Sequence, residues 1–378
     1  MLTKRLAGLD IIGSSGLFED LPHARDNVAI IADPRNKEEG QCDTRATHYF
    51  LRGPMMSDLP LACRLITASH LAYAMPQAGT PFPPSPAVQA AIAAVGFDPS
   101  TVQIHQSLLD DGINAFYYGE TTRNEAIVTF RGTLPPVLAP DSDVFRILQD
   151  WLNDGNGALV KGQDLAGRVH QGFLAALDAL WPSIEQLNLE AVVQSGKALL
   201  LTGHSKGGAL VYLAAYRLAQ QGIPVTAAYS FAAPRAGDTA FASAFDQRVP
   251  HVWRFEYRDD LVPHVPPATG AWLHMLQGMH VLHEVFPAEA PHLTTSATMA
   301  QEVDRLIARL ATLALVYASA GTLQFIDGHN AIVGDTLGLA LQRNLHLAEM
   351  MATLHFVEIA QDHFSDGGYM RVPCGMVP

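Results

Sequence analysis

The chain has 378 residues, of which 48% are hydrophobic and only 16% are charged, so it can bury a sizeable core and is globular over most of its length. Its formal net charge of −13 argues against nucleic acid as a partner, because such binding depends on neutralising phosphates with lysine and arginine. The same charge disfavours electrostatic docking on anionic lipid.

The cysteines and the first residues bear on the cellular compartment. Cys42, Cys63 and Cys374 show neither CxxC spacing nor a dense pattern, so we expect no zinc site and no disulfide scaffold. The segment that begins at Met1 contains no apolar run long enough for a signal peptide. The sequence therefore predicts a cytoplasmic protein, with peripheral membrane association as the alternative.

Strands that alternate with helices dominate the pattern along the chain. Residues 1–58 are rich in turn formers and mixed charges, and we assign no role to them; residues 59–378 are predicted to form one α/β domain. Its predicted elements, in chain order, are helices at 59–75 and 87–97, strands at 113–120 and 125–133, a strand, turn and helix at 198–222, and strand-to-loop units that begin at 225 and 249. This alternation implies a mostly parallel central sheet flanked by helices, with the active site at the carboxyl ends of the strands.

The character of the sequence changes after Pro267. Helical periodicity there predicts a helical insertion at about 271–357. Within it, the uncharged apolar stretch 310–326 falls short of the roughly 18 to 20 residues that a membrane helix needs. A buried helix is the first interpretation of that stretch, and membrane contact is the second.

The segment from Gly203 to Gly207 reads GHSKG and matches the GxSxG pattern of a nucleophile elbow. In such an elbow a serine, here Ser205, sits on a sharp turn between a strand and a helix, where side chains in place of the glycines would collide. An apolar strand pattern precedes the motif and a long helical pattern follows it. The alternative is a plain helix start with an incidental serine, but this context favours a nucleophile.

A serine nucleophile needs a histidine base and an acid that orients the histidine. In hydrolases of this fold the acid follows the serine and the histidine follows the acid. Asp259 and Asp260 both lie where a strand ends, and the residues alone favour Asp260 only slightly. His363 precedes turn formers late in the chain, and its rivals are His264, His274, His280, His283, His292, His329, His346 and His355.

An oxyanion also needs hydrogen-bond donors. The helix after Ser205 supplies backbone N–H groups and a positive dipole end. A second donor is expected from Thr133, in the FRGT segment at the end of a buried strand. The alternative is an ordinary strand-ending turn in which Arg131 makes a structural ion pair.

Seven segments in order resemble the class 3 lipase family, which includes the fungal triacylglycerol lipases. The similarity extends from about Pro60 to Tyr369. The matching segments are FRGT (130–133), DWLND (150–154), VHQGF (169–173), GHSKGG (203–208), FAAPR (231–235), DLVP (260–263), and DH (362–363) with Tyr369.

The resemblance implies an α/β-hydrolase in which Ser205 is the nucleophile, Asp260 the acid and His363 the base. It implies an oxyanion hole formed by Thr133 and the backbone of Lys206. The chain departs from the family in two ways. Many members have leucine at the position of Lys206, and the stretch between the acid and the histidine is longer than a compact member needs, which suggests the helical insertion. That insertion either covers the active site as a lid or acyl-chain pocket, or simply packs on the sheet.

These observations predict a serine hydrolase that cleaves carboxylic esters of lipids, a triacylglycerol lipase or an esterase, through an acyl-enzyme. The alternatives are a phospholipase acting on a phospholipid acyl ester and an inactive lipid-binding protein of the same fold. The chemistry requires no metal or organic cofactor. We expect a lipid or other ester as the substrate, transient contact with a lipid surface, and no obligate protein partner.

Overall fold

The computed structural model describes residues 57–75, 85–109, 112–133, 158–266, 317–336, 339, 343 and 361–376. All of them lie within one compact unit, Pro54–Pro378. The unassigned segment 1–58 therefore lies outside the described residues, apart from its last two positions.

Strands and helices alternate through the described residues, much as the sequence predicts. The strands are β1 (Gln103–Leu109), β2 (Gly112–Thr121), β3 (Glu125–Phe130), β4 (Leu159–Val160), β5 (Val169–His170), β6 (Ala198–His204), β7 (Ala227–Phe231), β8 (Gly237–Asp238), β9 (Val252–Tyr257), β10 (Tyr317–Ala318), β11 (Thr322–Ile326) and β12 (Ile332–Val333). The α-helices are α1 (Leu59–Ala74), α2 (Pro86–Val95), α3 (Gln171–Gln186), α4 (Leu189–Gln194), α5 (Lys206–Gln220), α6 (Thr239–Arg248) and α7 (Gly368–Arg371). Short 3₁₀ turns lie at Pro99–Thr101 and Val262–His264.

The central sheet has eight strands in the order β1-β2-β3-β6-β7-β9-β11-β12. The five strands from β3 to β11 in this order run parallel, and β1, β2 and β12 are antiparallel to their neighbours. The predicted mostly parallel sheet flanked by helices is confirmed. A second, small antiparallel sheet has the order β10-β8-β5-β4.

Helices cover both faces of the central sheet, and this explains why its inner strands are apolar throughout. In β6, Leu199 and Leu201 belong to one core cluster, together with side chains of α3, α5 and α6. Leu200, on the opposite face, belongs to a second cluster with side chains of α1, α2 and α7. The period-2 alternation of a strand thus divides the core into two layers.

The prediction of a wholly helical insertion is wrong in its described part. Residues 322–326 form β11, which pairs in parallel with β9 and extends the central sheet. Gly321 directly before it has φ 78°, a left-handed conformation that interrupts a helix. The buried helix expected at 310–326 is therefore also wrong for residues 317–326, while most of the rest of the insertion lies outside the described residues.

A disulfide joins Cys63 on α1 to Cys374 after α7, across 311 residues of sequence. The sequence led us to expect no disulfide scaffold, and this single long-range bond was not predicted. Spacing rules detect dense frameworks or metal sites, and a single bond between distant cysteines leaves no such pattern. In the part of the chain that the structure describes, no helix is long and apolar enough to cross a membrane.

Replacing both bridged cysteines, Cys63→Ser with Cys374→Ser, should destabilise the protein by about 2–4 kcal/mol, because the unfolded chain regains the freedom that the long loop had lost. Thermal unfolding followed by circular dichroism measures the effect. Cys42→Ser leaves the bridge intact and is the matched control. Equal melting temperatures for wild type and the double variant would contradict the prediction.

Candidate active site

Ser205 lies on the turn between β6 and α5, with φ 57° and ψ −132°. This backbone conformation is sparsely populated for residues other than glycine. The glycines on either side allow the turn to close: a Cβ on Gly203 would overlap the backbone of Gly207, and a Cβ on Gly207 would overlap the carbonyl of Phe130. The GxSxG spacing is thus a steric requirement of the place where β6, α5 and β3 meet.

Three side chains from distant parts of the chain form one hydrogen-bonded series at the carboxyl edge of the sheet. The hydroxyl of Ser205 lies 3.0 Å from Nε2 of His363. Nδ1 of His363 lies 3.0 Å from each carboxylate oxygen of Asp260. All three residues are buried. If Nδ1–H donates to the carboxylate, Nε2 is left as the acceptor for the serine proton.

Asp260 has further donors that hold its carboxylate in place. The backbone N–H of Val262 donates to Oδ1 over 2.9 Å, and the hydroxyl of Tyr369 donates to Oδ2 over 2.7 Å. The Tyr369 oxygen in turn accepts from the backbone N–H of Tyr257 over 3.0 Å. Burial, followed by the charge of Asp260, raises the pKa of Tyr369 well above its usual value, so the phenol stays a donor.

His204 and Tyr73 fix the backbone of the histidine segment. Nε2 of His204 lies 2.8 Å from the carbonyl oxygen of His363, and Nδ1 lies 2.8 Å from the hydroxyl of Tyr73. Burial lowers the pKa of His204 well below its usual value, so the ring is neutral, with one donor and one acceptor. The Nε2–H donates to the His363 carbonyl, and Nδ1 accepts from Tyr73. Neither role was predicted from the sequence, because Tyr73 lies outside every motif and His204 occupies a position that GxSxG leaves open to any residue.

The FRGT segment follows β3 at the same edge of the sheet. A Cβ on Gly132 would overlap the Tyr73 hydroxyl and press on the carbonyl of His204, so glycine is required there as well. Thr133 comes next and is partly exposed, while Lys206 is the first residue of α5. The structure thus places both residues that were expected to form the oxyanion hole at the carboxyl edge that carries Ser205.

The competing candidates lie elsewhere or outside the described residues. The carboxylate that contacts the His363 ring is that of Asp260, and the backbone N–H of the neighbouring Asp259 donates to Asp362 over 3.3 Å. His264 is buried, with Nε2 at 3.2 Å from Arg343, and His329 is fully exposed. The other rival histidines and the DWLND segment lie outside the described residues. Within the described part of the chain, no group of three or more His, Cys, Asp or Glu side chains is arranged to hold a metal ion.

A serine on a strand-to-helix turn, a histidine and a carboxylate at the carboxyl edge of a parallel sheet define the class of α/β-hydrolases with a serine nucleophile. The model of the class 3 lipase family matches residues 128–270, in agreement with the resemblance that the motifs carry. The match includes Ser205 and Asp260, and it ends before His363.

Parts of the chain are similar in sequence to known proteins. A secreted mono- and diacylglycerol lipase from Fusarium solani is 29% identical over 170 residues, covering 43% of this chain and 46% of that protein. A phospholipase A1-II from Oryza sativa subsp. japonica is 30% identical over 175 residues, covering 38% of this chain and 41% of that protein. The solved triacylglyceride lipase from Rhizomucor miehei gives a TM-score of 0.43 at 24% identity, over 55% of this chain and 74% of its own. The chain spans less than half the length of these two curated relatives.

The expectation of a cytoplasmic protein is wrong. The matched lipase from Fusarium solani is a secreted protein. The bond between Cys63 and Cys374 agrees with this correction, because disulfides persist mainly in oxidising compartments.

Tyr369→Phe should lower kcat by about tenfold with little change in KM, because Asp260 loses one donor behind the reacting atoms and the carboxylate is held less firmly. Steady-state kinetics on a short-chain ester measures both constants. Tyr212→Phe is the matched control, since it also removes a buried hydroxyl, one that lies 2.5 Å from Ser230 and away from the triad. Equal losses in the two variants would show that Tyr369 acts only through the general stability of the core.

Proposed function

We propose that the protein hydrolyses carboxylic ester bonds of lipids through a covalent acyl-enzyme, with Ser205 as the nucleophile, His363 as the base and Asp260 as the acid. The observation that carries the proposal is the buried hydrogen-bonded series Ser205–His363–Asp260, with 3.0 Å at each step. Such a series lets a neutral histidine accept the serine proton while the carboxylate stabilises the imidazolium that results.

In the acylation step the Ser205 oxygen attacks the ester carbonyl carbon, and its proton moves to Nε2 of His363. The carbonyl oxygen becomes an oxyanion, which accepts hydrogen bonds from the backbone N–H of Lys206 and from Thr133. When the tetrahedral intermediate collapses, the bond to the alcohol oxygen breaks. Nε2–H of His363 gives its proton to that oxygen, and the alcohol leaves.

In the deacylation step a water molecule takes the place of the alcohol. His363 accepts a proton from the water as the water oxygen attacks the acyl carbon, and then returns the proton to Ser205 as the carboxylic acid leaves. Through both steps, the hydrogen bond from Tyr369 holds the Asp260 carboxylate, and the hydrogen bond from His204 holds the backbone carbonyl of His363. The side chains of the triad and the oxyanion donors suffice for this chemistry.

The substrate that we propose is an acylglycerol or a similar uncharged lipid ester. The family match and the mono- and diacylglycerol lipase from Fusarium solani support this class. An acyl ester of a phospholipid is the second candidate, favoured by the similarity to a phospholipase A1 from rice. A lipid-binding protein without catalysis is disfavoured, because binding alone gives no reason to align a serine, a histidine and a carboxylate.

Ser205→Ala should reduce ester turnover on the order of 10⁴-fold or more, since the variant has no nucleophile. Turnover of p-nitrophenyl esters and labelling with a fluorophosphonate are the measurements. Ser230→Ala, which removes another buried serine hydroxyl on the neighbouring strand β7, should keep both activities. Absence of turnover and of labelling in the wild type would instead support the binding-protein alternative.

The substrate class is tested on the same preparations with acylglycerols of short and long chains and with a phosphatidylcholine. Preference for acylglycerols supports the first candidate, and release of fatty acid chiefly from the phospholipid supports the second.

A further inference from the structure

The side chain of Lys206 is largely buried beside the nucleophile. Its Nζ donates a hydrogen bond to Oδ1 of Asn114 over 2.5 Å, and Asn114 itself is only 4% exposed. Burial, together with the nearby charge of Arg131, lowers the pKa of Lys206 to about 8. A neutral amide is thus the hydrogen-bond partner of this ammonium group.

The Lys206 side chain extends across the strand end that precedes the proposed oxyanion hole. Lys206 begins α5 at the end of β6, whereas Asn114 lies on β2, two strands away in the sheet order β2-β3-β6. Phe116 of β2 pairs with Phe130, the last residue of β3, so Asn114 lies beyond the carboxyl end of β3. The lysine side chain therefore extends past the segment 131–133 that follows β3. Thr133, the proposed second oxyanion donor, belongs to that segment.

A second cation lies close by. Arg131 is only 7% exposed; its Nη2 donates to the carbonyl of Ile113 over 2.8 Å, and its buried Nε has no hydrogen-bond partner. Among the described residues, no carboxylate forms an ion pair with Lys206 or Arg131. Two buried like charges repel each other, and burial adds a desolvation cost for each of them. A negative charge that forms only during the reaction would be attracted to this pair of cations.

The backbone N–H of Lys206 is a proposed donor to the oxyanion of the tetrahedral intermediate, so a negative charge forms beside this residue during the reaction. We propose that the ammonium group of Lys206 stabilises this oxyanion through space, in addition to the two hydrogen bonds. This inference rests on the proposed hydrolysis and gives the Lys206 side chain a role in it. Lys206 is in this sense a supporting residue, since its ammonium need not touch the substrate.

The proposal fixes the direction of the pH dependence. Below a pH of about 8 Lys206 is protonated and the rate is full; above it the charge is lost and the rate falls. The neighbouring groups do not produce this change. Arg131 remains charged across this range, burial raises the pKa of Tyr73 so that it stays neutral, and Ser107, opposite Asn114 on β1, is uncharged. His363 and Asp260, on the other side of Ser205, are shared by every variant considered below.

The test compares kcat for p-nitrophenyl butyrate between pH 6.5 and 9.5, about 1.5 pH units on either side of the pKa, in wild type, Lys206→Met and Lys206→Arg. Absorbance is read at the isosbestic wavelength of the product, so that its ionisation does not affect the signal. Lys206→Met should be about tenfold slower than wild type at pH 7, as expected for a loss of one nearby charge in a partly buried site, and its kcat should not fall through pH 8. Lys206→Arg, which keeps its charge, should remain fast and should also lack the alkaline fall.

Lys197→Met is the matched control. Lys197 pairs with Glu120 at 3.3 Å and precedes β6, at the opposite end of that strand from Ser205. Its removal should leave the pH profile of the wild type unchanged. The melting temperature of Lys206→Met shows that the variant is folded, and if Lys206→Arg does not fold, the profile of Lys206→Met alone decides.

The proposal is overturned if Lys206→Met is as fast as wild type at pH 7, or if it keeps the alkaline fall. Labelling of Ser205 by a fluorophosphonate separates this failure from that of the proposed function. A wild type that is labelled and active, with an unaffected Lys206→Met, contradicts only the role of Lys206. A wild type that neither reacts nor turns over any ester contradicts both.

Discussion

The close approach of three backbone segments around Ser205 is the constraint on which the remainder of the site depends. Backbone contacts join the end of β3, the turn after β6 and the start of α5. The residues at these contacts are glycines, because a Cβ there would overlap neighbouring atoms. This packing holds Ser205 in a sparsely populated conformation and places its hydroxyl at the carboxyl edge of the sheet, against His363. It also brings the FRGT segment against the turn. The same contact that sets the position of Ser205 thus also sets the position of the proposed oxyanion donors.

His363 reaches Ser205 from a distant part of the sequence, and α1 holds the segment that carries it. His363 follows Ser205 by 158 residues, and three contacts of α1 fix the segment around it. Cys63 is bonded to Cys374, His70 lies 2.9 Å from the hydroxyl of Ser365, and Tyr73 holds His204 against the His363 carbonyl. A helix that contributes no reacting atom therefore sets the position of the histidine. On the other side of the ring, the hydrogen bond from Tyr369 holds the Asp260 carboxylate that contacts His363.

Much of this arrangement can be predicted from the sequence, and the physical reason differs from residue to residue. Ser205 can be found because its turn demands glycines at fixed spacing, and the parallel sheet because strands buried on both faces are apolar throughout. Asp260 and His363 could be chosen among their rivals only through the family resemblance. The contacts of Tyr73 and His204 join residues 131 positions apart, and no local periodicity reports such a contact. The sequence predicted a helix where the structure has strand β11. A short apolar segment between helical patterns has the same sequence pattern whether it continues a helix or pairs with a strand such as β9.

Lys206 illustrates a further difference between sequence and structure. Its position next to Ser205 is visible in the sequence, but its burial and its neutral partner Asn114 are not, since they depend on the order β2-β3-β6 in the sheet.

The bond between Cys63 and Cys374 closes a covalent ring around nearly all of the described structure. A protease that cuts one peptide bond anywhere inside this ring produces two fragments that stay joined. The fragment that carries His363 then cannot diffuse away from the fragment that carries α1, however the cut chain rearranges in between. Nicked molecules would migrate as one species until they are reduced, and only reduction would separate the histidine from the helix that positions it.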